Sequence, residues 1–356
     1  MEHADRLAHT DDFADAYGSI ASDNDEHRWA FGSGFDDPLA GVDTAVPSGV
    51  DGTDLAAYCL MLGDDALILS HRLQEWVSRA PELEDDVAIA NIALDLLGQA
   101  RLLLARAGKA DGSDRGEDAY AYLRSPSEFR NVALVELDNG DFAFSLVRLL
   151  VFSTYRLALL DRLRTSRDPV LAAIAAKGVK EVTYHRDYAA RWMLRLGDGT
   201  QESHRRATDA AAAAWPYVEE LFRPHDIELK LAAAGIGVDP STLRAEFDAV
   251  MTQVLAAATL QPPVADLPAV RSGVPAAGPP VGRAAAPDAD LPAVRAAVRA
   301  AAPSADPPAG RAAAPPSDAT AVPAAASGRN GEHAEVLSEL LAEMQSLARA
   351  HSEATW

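Results

Sequence analysis

From Asp54 to about Thr259 the apolar residues return every three or four positions, the period of helices that bury one face. Runs of β-branched residues bounded by turn signals, the mark of strands, are few. A first helix is predicted from Asp54 to Val77, ending before Arg79-Ala80-Pro81. A second opens with Glu82, Glu84, Asp85 and Asp86, acids that suit the positive end of a helix dipole, and continues through Ala105 to a stop at Gly108. A third, Phe142 to Arg164, keeps a broad apolar face in Leu146, Leu149, Leu150, Tyr155, Leu157 and Leu160. A fourth runs from Pro169 through Leu196 and stops at Gly197-Asp198-Gly199. Shorter helices are predicted over 116–124, 201–221 and 239–257, and a last one from Glu332 to His351. The apolar stripe of that last helix (Val336, Leu337, Leu340, Leu341, Met344, Leu347) requires a surface to pack on. Four long helices predict an all-α bundle, and the roughly 30-residue stretch between the second and third suits a crossover connection.

Two segments break the pattern. Residues 1–54 hold thirteen Asp or Glu against Arg6 and Arg28, a net of -11, with Gly and Pro breaks and little periodicity. Residues 1–53 are therefore expected to be an acidic, mostly disordered arm. Residues 261–330 hold 14 of the 22 prolines among runs of alanine. Asp266-Leu-Pro-Ala-Val-Arg271 recurs as Asp290-Leu-Pro-Ala-Val-Arg295, and PPVGRAAAP at 279–287 recurs as PPAGRAAAP at 307–315. The unequal spacing excludes a solenoid and predicts a low-complexity linker of polyproline character. The division is thus an arm (1–53), a bundle (54–260), an insertion (261–330) and a C-terminal helix (331–356) docking on the bundle or a partner.

Charge removes some functions. The 356 residues carry 53 acidic against 32 basic side chains, a formal charge of -21. A nucleic-acid partner needs a positive surface, and an anionic membrane does too, so neither is expected. Cys59 is the only cysteine, which excludes an internal disulfide and a Cys-based zinc cluster and suits a reducing, cytoplasmic setting. The N-terminal residues are not expected to act as a secretory signal, and no apolar run is expected to span a bilayer. The strongest candidate, Leu146 to Leu160, contains Arg148 and Arg156, which fits a soluble core helix better.

A long-helix bundle with interior acids invites a carboxylate-bridged di-metal centre, which takes a carboxylate from each of two helices and a Glu-x-x-His pair from each of the other two. None of the nine histidines has Glu or Asp three residues before it. An HExxH zinc motif, a phosphate-binding Gly-rich loop and a GxSxG elbow are also missing. Two places look like altered versions of the di-metal motif: Asp95-Leu96-Leu97-Gly98-Gln99 and Glu181-Val182-Thr183-Tyr184-His185.

Around them the runs LGDDALILSHRLQEW, EDDVAIANIALDLLGQARLLL, KEVTYHRDYAARWMLRLGDGT and GEHAEVLSELLAEMQSLARA occur in order. Over about 55–257 and 328–356 the chain resembles the PaaC-type structural subunit of the multicomponent phenylacetyl-CoA 1,2-epoxidase; the arm and insertion depart from that pattern. The resemblance implies a ferritin-like bundle that pairs with a homologous catalytic subunit, which carries a di-iron centre. It also implies a reductase with flavin and an iron–sulfur cluster, fed by NADPH, and phenylacetyl-CoA nearby. Set beside the partner's two Glu-x-x-His motifs, Leu96 and Val182 stand where Glu would be, Gln99 stands where a His would be, and His185 is kept. Ser153 stands where the third helix would supply a carboxylate. In the first helix Asp65, His71 and Glu75 stay unassigned.

Two irons need anionic ligands to neutralise and bridge them, and Leu, Val and Ser supply none. The expectation is therefore that this chain holds no metal and no cofactor, and that Asp95, Gln99, Glu181 and His185 form hydrogen-bonded polar pairs in the core. The alternative is a self-sufficient ferritin-like oxidase or metal-storage bundle, with Glu181, His185, Asp95 and Asp65 around one metal. Trp76, Trp192 and Trp215 read as core or interface aromatics. Arg186, Arg191 and Arg195 read as surface, with phosphate binding to an acyl-CoA as the other reading. Cys59 reads as a packed thiol.

Overall fold

The computed structural model describes residues 39, 41–261 and 327–351. The expected acidic arm up to residue 38, and the expected insertion over 262–326, lie outside the described residues. Among the described residues every regular element is helical. In chain order the α-helices are α1 (Gly52–Gln74), α2 (Leu83–Ala110), α3 (Glu117–Tyr122), α4 (Ala133–Glu136), α5 (Phe142–Leu163), α6 (Pro169–Gly197), α7 (Gln201–Ala214), α8 (Val218–Leu221), α9 (Asp226–Ala233), α10 (Arg244–Ala257) and α11 (Glu335–Ala350).

Aspartates start three of the long helices. Asp51 accepts from the Thr53 and Asp54 amides, Asp141 from that of Phe144 and Asp168 from that of Leu171, each satisfying donors that have no partner inside the helix. Asp51 moves the start of α1 ahead of the expected Asp54. The helix expected over 201–221 is broken by a 3-10 turn at Trp215–Tyr217, where Pro216 cannot continue the hydrogen-bond ladder. The helix expected at 239 opens as a 3-10 turn, Pro240–Leu243, before α10. Gly108 does not stop α2: a Cβ there would lie 2.1 Å from the Arg115 carbonyl oxygen, so this glycine lets the following loop press against the helix.

The pairing of the long helices gives the topology. Gly52 lies against Ala110, and Ser70 donates to the Ala93 carbonyl at 2.7 Å, so α1 and α2 run antiparallel. The Phe142 and Trp192 rings meet at 5.0 Å while Leu160 touches Gly178, which sets α5 antiparallel to α6. Arg156 reaches the Leu62 carbonyl and Trp76 reaches Ser145, closing α5 on α1. Asp85 accepts from Trp192, and Gly178 lies against Gln99, closing α2 on α6. The helices therefore run up, down, down, up, and residues 111–141 cross from the end of α2 to the start of α5. This is the ferritin-like arrangement.

Two helices, Leu83–Ala110 and Phe142–Leu163, are long and apolar enough to cross a membrane by length and composition, contrary to the expectation that no run would be. In α5 the most apolar window is 94% buried in the bundle, so its surface is already used by the core. In α2 it is 44% buried, and Val87 and Leu94 face outward.

The boundary expected at 330 falls inside ordered chain. Gly328–Asn330 forms a 3-10 turn, and Gly328 and Arg329 are buried. Arg329 reaches between helices to Asp65, with Nη2 to Oδ2 at 2.8 Å and Nη1 to Oδ1 at 3.1 Å, and it also donates to the Met61 and Arg130 carbonyls. Glu220 accepts from the Gly328 amide at 2.8 Å and from the Ala133 amide at 2.7 Å. Glu136 accepts from the Ala334 amide, from Asn131 and from His333. The segment then enters α11, whose Val336, Leu337 and Leu341 are buried and which packs on α3.

Candidate functional site

The altered motifs meet in the centre of the bundle. Leu96, Gln99, Ser153, Val182 and His185 are all at most 2% exposed. The i, i+4 spacing places Asp95 and Gln99 along one side of α2, and Glu181 and His185 along one side of α6. The hydrogen bonds run between the helices. His185 Nε2 and Asp95 Oδ2 are 3.0 Å apart, and Gln99 Nε2 donates to Glu181 Oε2 at 3.0 Å. These two rungs tie α2 to α6. Asp95 and Glu181 sit toward the edge of the core, with Asp95 36% exposed and Glu181 also paired with Lys177.

Sequence reasoning missed the residue that completes the centre. Arg156 is fully buried on α5, one turn beyond Ser153. Its Nη1 donates to the Leu62 carbonyl at 2.9 Å, and its Nη2 and Nε reach Gln99 Oε1 at 3.2 and 3.4 Å. Gln99 therefore turns its carbonyl toward a cation and its amide nitrogen toward a carboxylate. Burial lowers the pKa of Arg156, and the charge of Asp65 works in the opposite direction. The available signal is an arginine inside the apolar run of α5, which in the sequence alone speaks only against a membrane span.

This donor set does not fit two iron ions. Leu96 and Val182 have no donor atom. The Ser153 hydroxyl donates to the Leu149 carbonyl of its own helix at 2.6 Å. Gln99 is held between Arg156 and Glu181, and His185 faces Asp95. Asp65 does not join the set, because its oxygens accept from Arg329 and from the Val132 amide. His71 is partly buried, and burial lowers its pKa. Glu75 accepts from Arg72 and Asn139. Among the described residues no three His, Cys, Asp or Glu side chains gather where they could hold a metal ion.

A family described as "Phenylacetic acid catabolic protein" matches residues 42–273, which take in all four long helices and both rungs. The chain belongs to the phenylacetic acid catabolic protein family. Within that family it is similar to a 1,2-phenylacetyl-CoA epoxidase subunit of Escherichia coli (strain K12). The two are 46% identical over 209 residues, which is 59% of this chain and 84% of the relative. The family match ends before Ser327, so the C-terminal segment on Asp65, Glu136 and Glu220 lies beyond it.

Other candidates take ordinary places in this family member. Trp76 and Trp192 clasp Phe142 edge-on at 5.4 and 5.0 Å, and Asp85 accepts from both Trp192 and Tyr188 at 2.9 Å. Trp215 is partly buried in its 3-10 turn. Arg191 and Arg195 are exposed, Arg195 stacks over Trp192 and Arg186 is partly buried. Cys59 is fully buried, and burial pushes its thiol pKa up, which keeps it a neutral packed group.

Proposed function

We propose that this chain is the noncatalytic structural subunit of a phenylacetyl-CoA 1,2-epoxidase complex in aerobic phenylacetate catabolism, working in the cytoplasm beside a homologous catalytic partner that carries the di-iron centre. The observation that carries this reading is the content of the bundle centre: apolar side chains at two positions where ligands would stand, and a buried guanidinium on Gln99. The similarity to an epoxidase subunit supports the same pathway and substrate class.

In such a complex a reductase would deliver electrons from NADPH through flavin and an iron–sulfur cluster, and the partner's di-iron site would supply the oxygen chemistry. This chain contributes rigidity. Its two polar rungs hold α2 to α6 at a fixed register, Arg156 ties α5 to α1 and α2, and the docked C-terminal segment braces α1. A partner bundle that must keep its ligands in place gains a neighbour whose own helices do not shift.

The test is co-expression with a homologous bundle that carries both Glu-x-x-His motifs. The expected result is a stable complex in which iron follows the partner, with phenylacetyl-CoA-dependent NADPH oxidation lost when this subunit is left out. About two irons per chain in this protein purified alone, the complement of a di-iron bundle, would turn the reading to a self-sufficient oxidase or storage protein.

A further inference from the structure

We propose that the Arg156 guanidinium is a built-in replacement for metal charge at the centre of this bundle, and that this cation, beyond the loss of ligands, closes the centre to divalent metals. The proposal deepens the noncatalytic reading and rests on it.

Three observations carry it. First, Arg156 is on the face of α5 that holds Ser153, since residues three apart share a face, and so it points to the region the altered motifs line. Second, it bonds directly to the side chain at one of the altered positions. Both Nη2 and Nε approach Gln99 Oε1, while Gln99 Nε2 passes on to Glu181. An amide suits this place because it can accept from a cation and donate to a carboxylate at once. A neutral histidine has a single lone pair on its acceptor nitrogen for the two Arg156 donors, and a carboxylate has no donor for Glu181. Third, Gly178 lets α5 close on α6 beside the amide. A Cβ there would come 2.8 Å from Leu160 Cδ1, while the Gln99 amide would stay at an ordinary contact distance of 3.5 Å.

The result is a charge relay of fixed polarity: Arg156, Gln99, Glu181, Lys177. Buried charges must be compensated where they lie. The carboxylate whose charge acts most strongly on Arg156, Asp65, is already bonded to Arg329. Glu181 is the acid Arg156 reaches, through one neutral amide. A divalent cation entering here would face a fixed positive charge that is held by a backbone carbonyl and unable to leave.

Exchange of the cation for a metal tests this on the full chain. Three proteins are compared by equilibrium dialysis against Co(II), by visible absorption and by thermal unfolding: wild type, Gln99→Glu, and Gln99→Glu combined with Arg156→Met. The double variant has a new carboxylate beside Glu181 and the Asp95–His185 pair, and no guanidinium. The expected result is saturable Co(II) uptake and a cobalt-dependent rise in Tm for the double variant alone. In Gln99→Glu the new carboxylate pairs with Arg156, and cobalt leaves Tm unchanged. If the double variant folds poorly without metal, it is refolded with and without Co(II), and recovery only with Co(II) counts as uptake. Equal cobalt binding by Gln99→Glu with Arg156 in place would overturn the proposal, as would no binding or recovery in the double variant. Either outcome leaves the noncatalytic reading standing as long as the wild-type protein is iron-free.

Discussion

Two buried polar clusters share this bundle and are wired in opposite ways. At the C-terminal clasp, acids meet donors that use both of their oxygens: Asp65 takes Arg329 and the Val132 amide, Asp64 takes Arg124 and the Arg130 amide, and Glu220 takes two amides. At the altered motifs one cation is shared through a neutral amide, and the acids stand at the edge of the core. The clasp adds ion pairs at Asp64 and Asp65 to its amide donors, and the one at Asp65 fastens a segment 264 residues away in sequence. The central relay satisfies the side chains at the altered motifs with less charge. Interior acids in a ferritin-like bundle are thus no sign of metal by themselves. What matters is whether protein donors already occupy their oxygens.

The sharpest way to break the comparison is to remove a cation from the clasp. Arg329→Met leaves Asp65 buried with its charge uncompensated, which costs about 3–5 kcal/mol. The expected readout is a fall in Tm of order 10 °C, at roughly 2–4 °C per kcal/mol for a domain of this size. Asp65→Asn in the same chain should recover part of that fall, because the stranded charge is removed. A Tm within 2 °C or so of wild type for Arg329→Met alone would mean that the clasp holds nothing.

The helices were legible because periodicity and turn residues are local signals. Gly197 ends α6 as its glycine and aspartate neighbours imply, and Pro169 begins it. Gly108 misled, since a glycine needed for close approach looks in sequence like one that ends a helix. The two altered motifs stood out beside the di-metal pattern, and the resemblance named the places in them, and Ser153 besides, where ligands should stand. Their partners were not legible. The i, i+4 spacing sets two side chains on one face of each helix, but which of them pair across the core, His185 with Asp95 and Gln99 with Glu181, is decided by how α2 and α6 pack. Arg156 and Arg329 carry no local signature of what they pair with, because Gln99 and Asp65 are brought to them by the packing of other helices.

A milder break falls on the relay. Gln99→Leu removes both the acceptor of Arg156 and the donor to Glu181, while Arg156 keeps the Leu62 carbonyl. Leaving such groups short of partners costs about 1–3 kcal/mol, less than the loss at Arg329. Chemical denaturation of the single variant, and of Gln99→Leu with Arg156→Met, gives the two terms. The double variant should be less destabilised than the sum of the singles, since removing the guanidinium also removes its need for Gln99. Simple additivity would show that the two side chains are not coupled.

The smallest effect is a dependence on pH at the clasp. His333 has acceptors at both ring nitrogens, Glu136 Oε2 at 2.8 Å from Nδ1 and the Phe129 carbonyl at 3.0 Å from Nε2, so the ring donates twice only as an imidazolium. Burial opposes that charge, but the hydrogen bond and charge of Glu136, the Phe129 carbonyl and the field of Asp64 outweigh it and raise the pKa above the ordinary value. A raised folded pKa contributes stability that is fully present below the unfolded value, near 6.5 for histidine, and is lost as pH rises through the folded value. Deprotonation leaves one acceptor without its proton and loosens the entry to α11. Amide hydrogen exchange over 334–345, corrected for intrinsic rates, should therefore show more protection at about pH 6 than at about pH 8.5, on either side of the histidine range. His333→Gln should flatten the slope over α11. Equal or stronger protection of α11 at the alkaline end would mean that the clasp does not depend on the imidazolium, and the neutral backbone donors at Glu136 and Glu220 would then carry it.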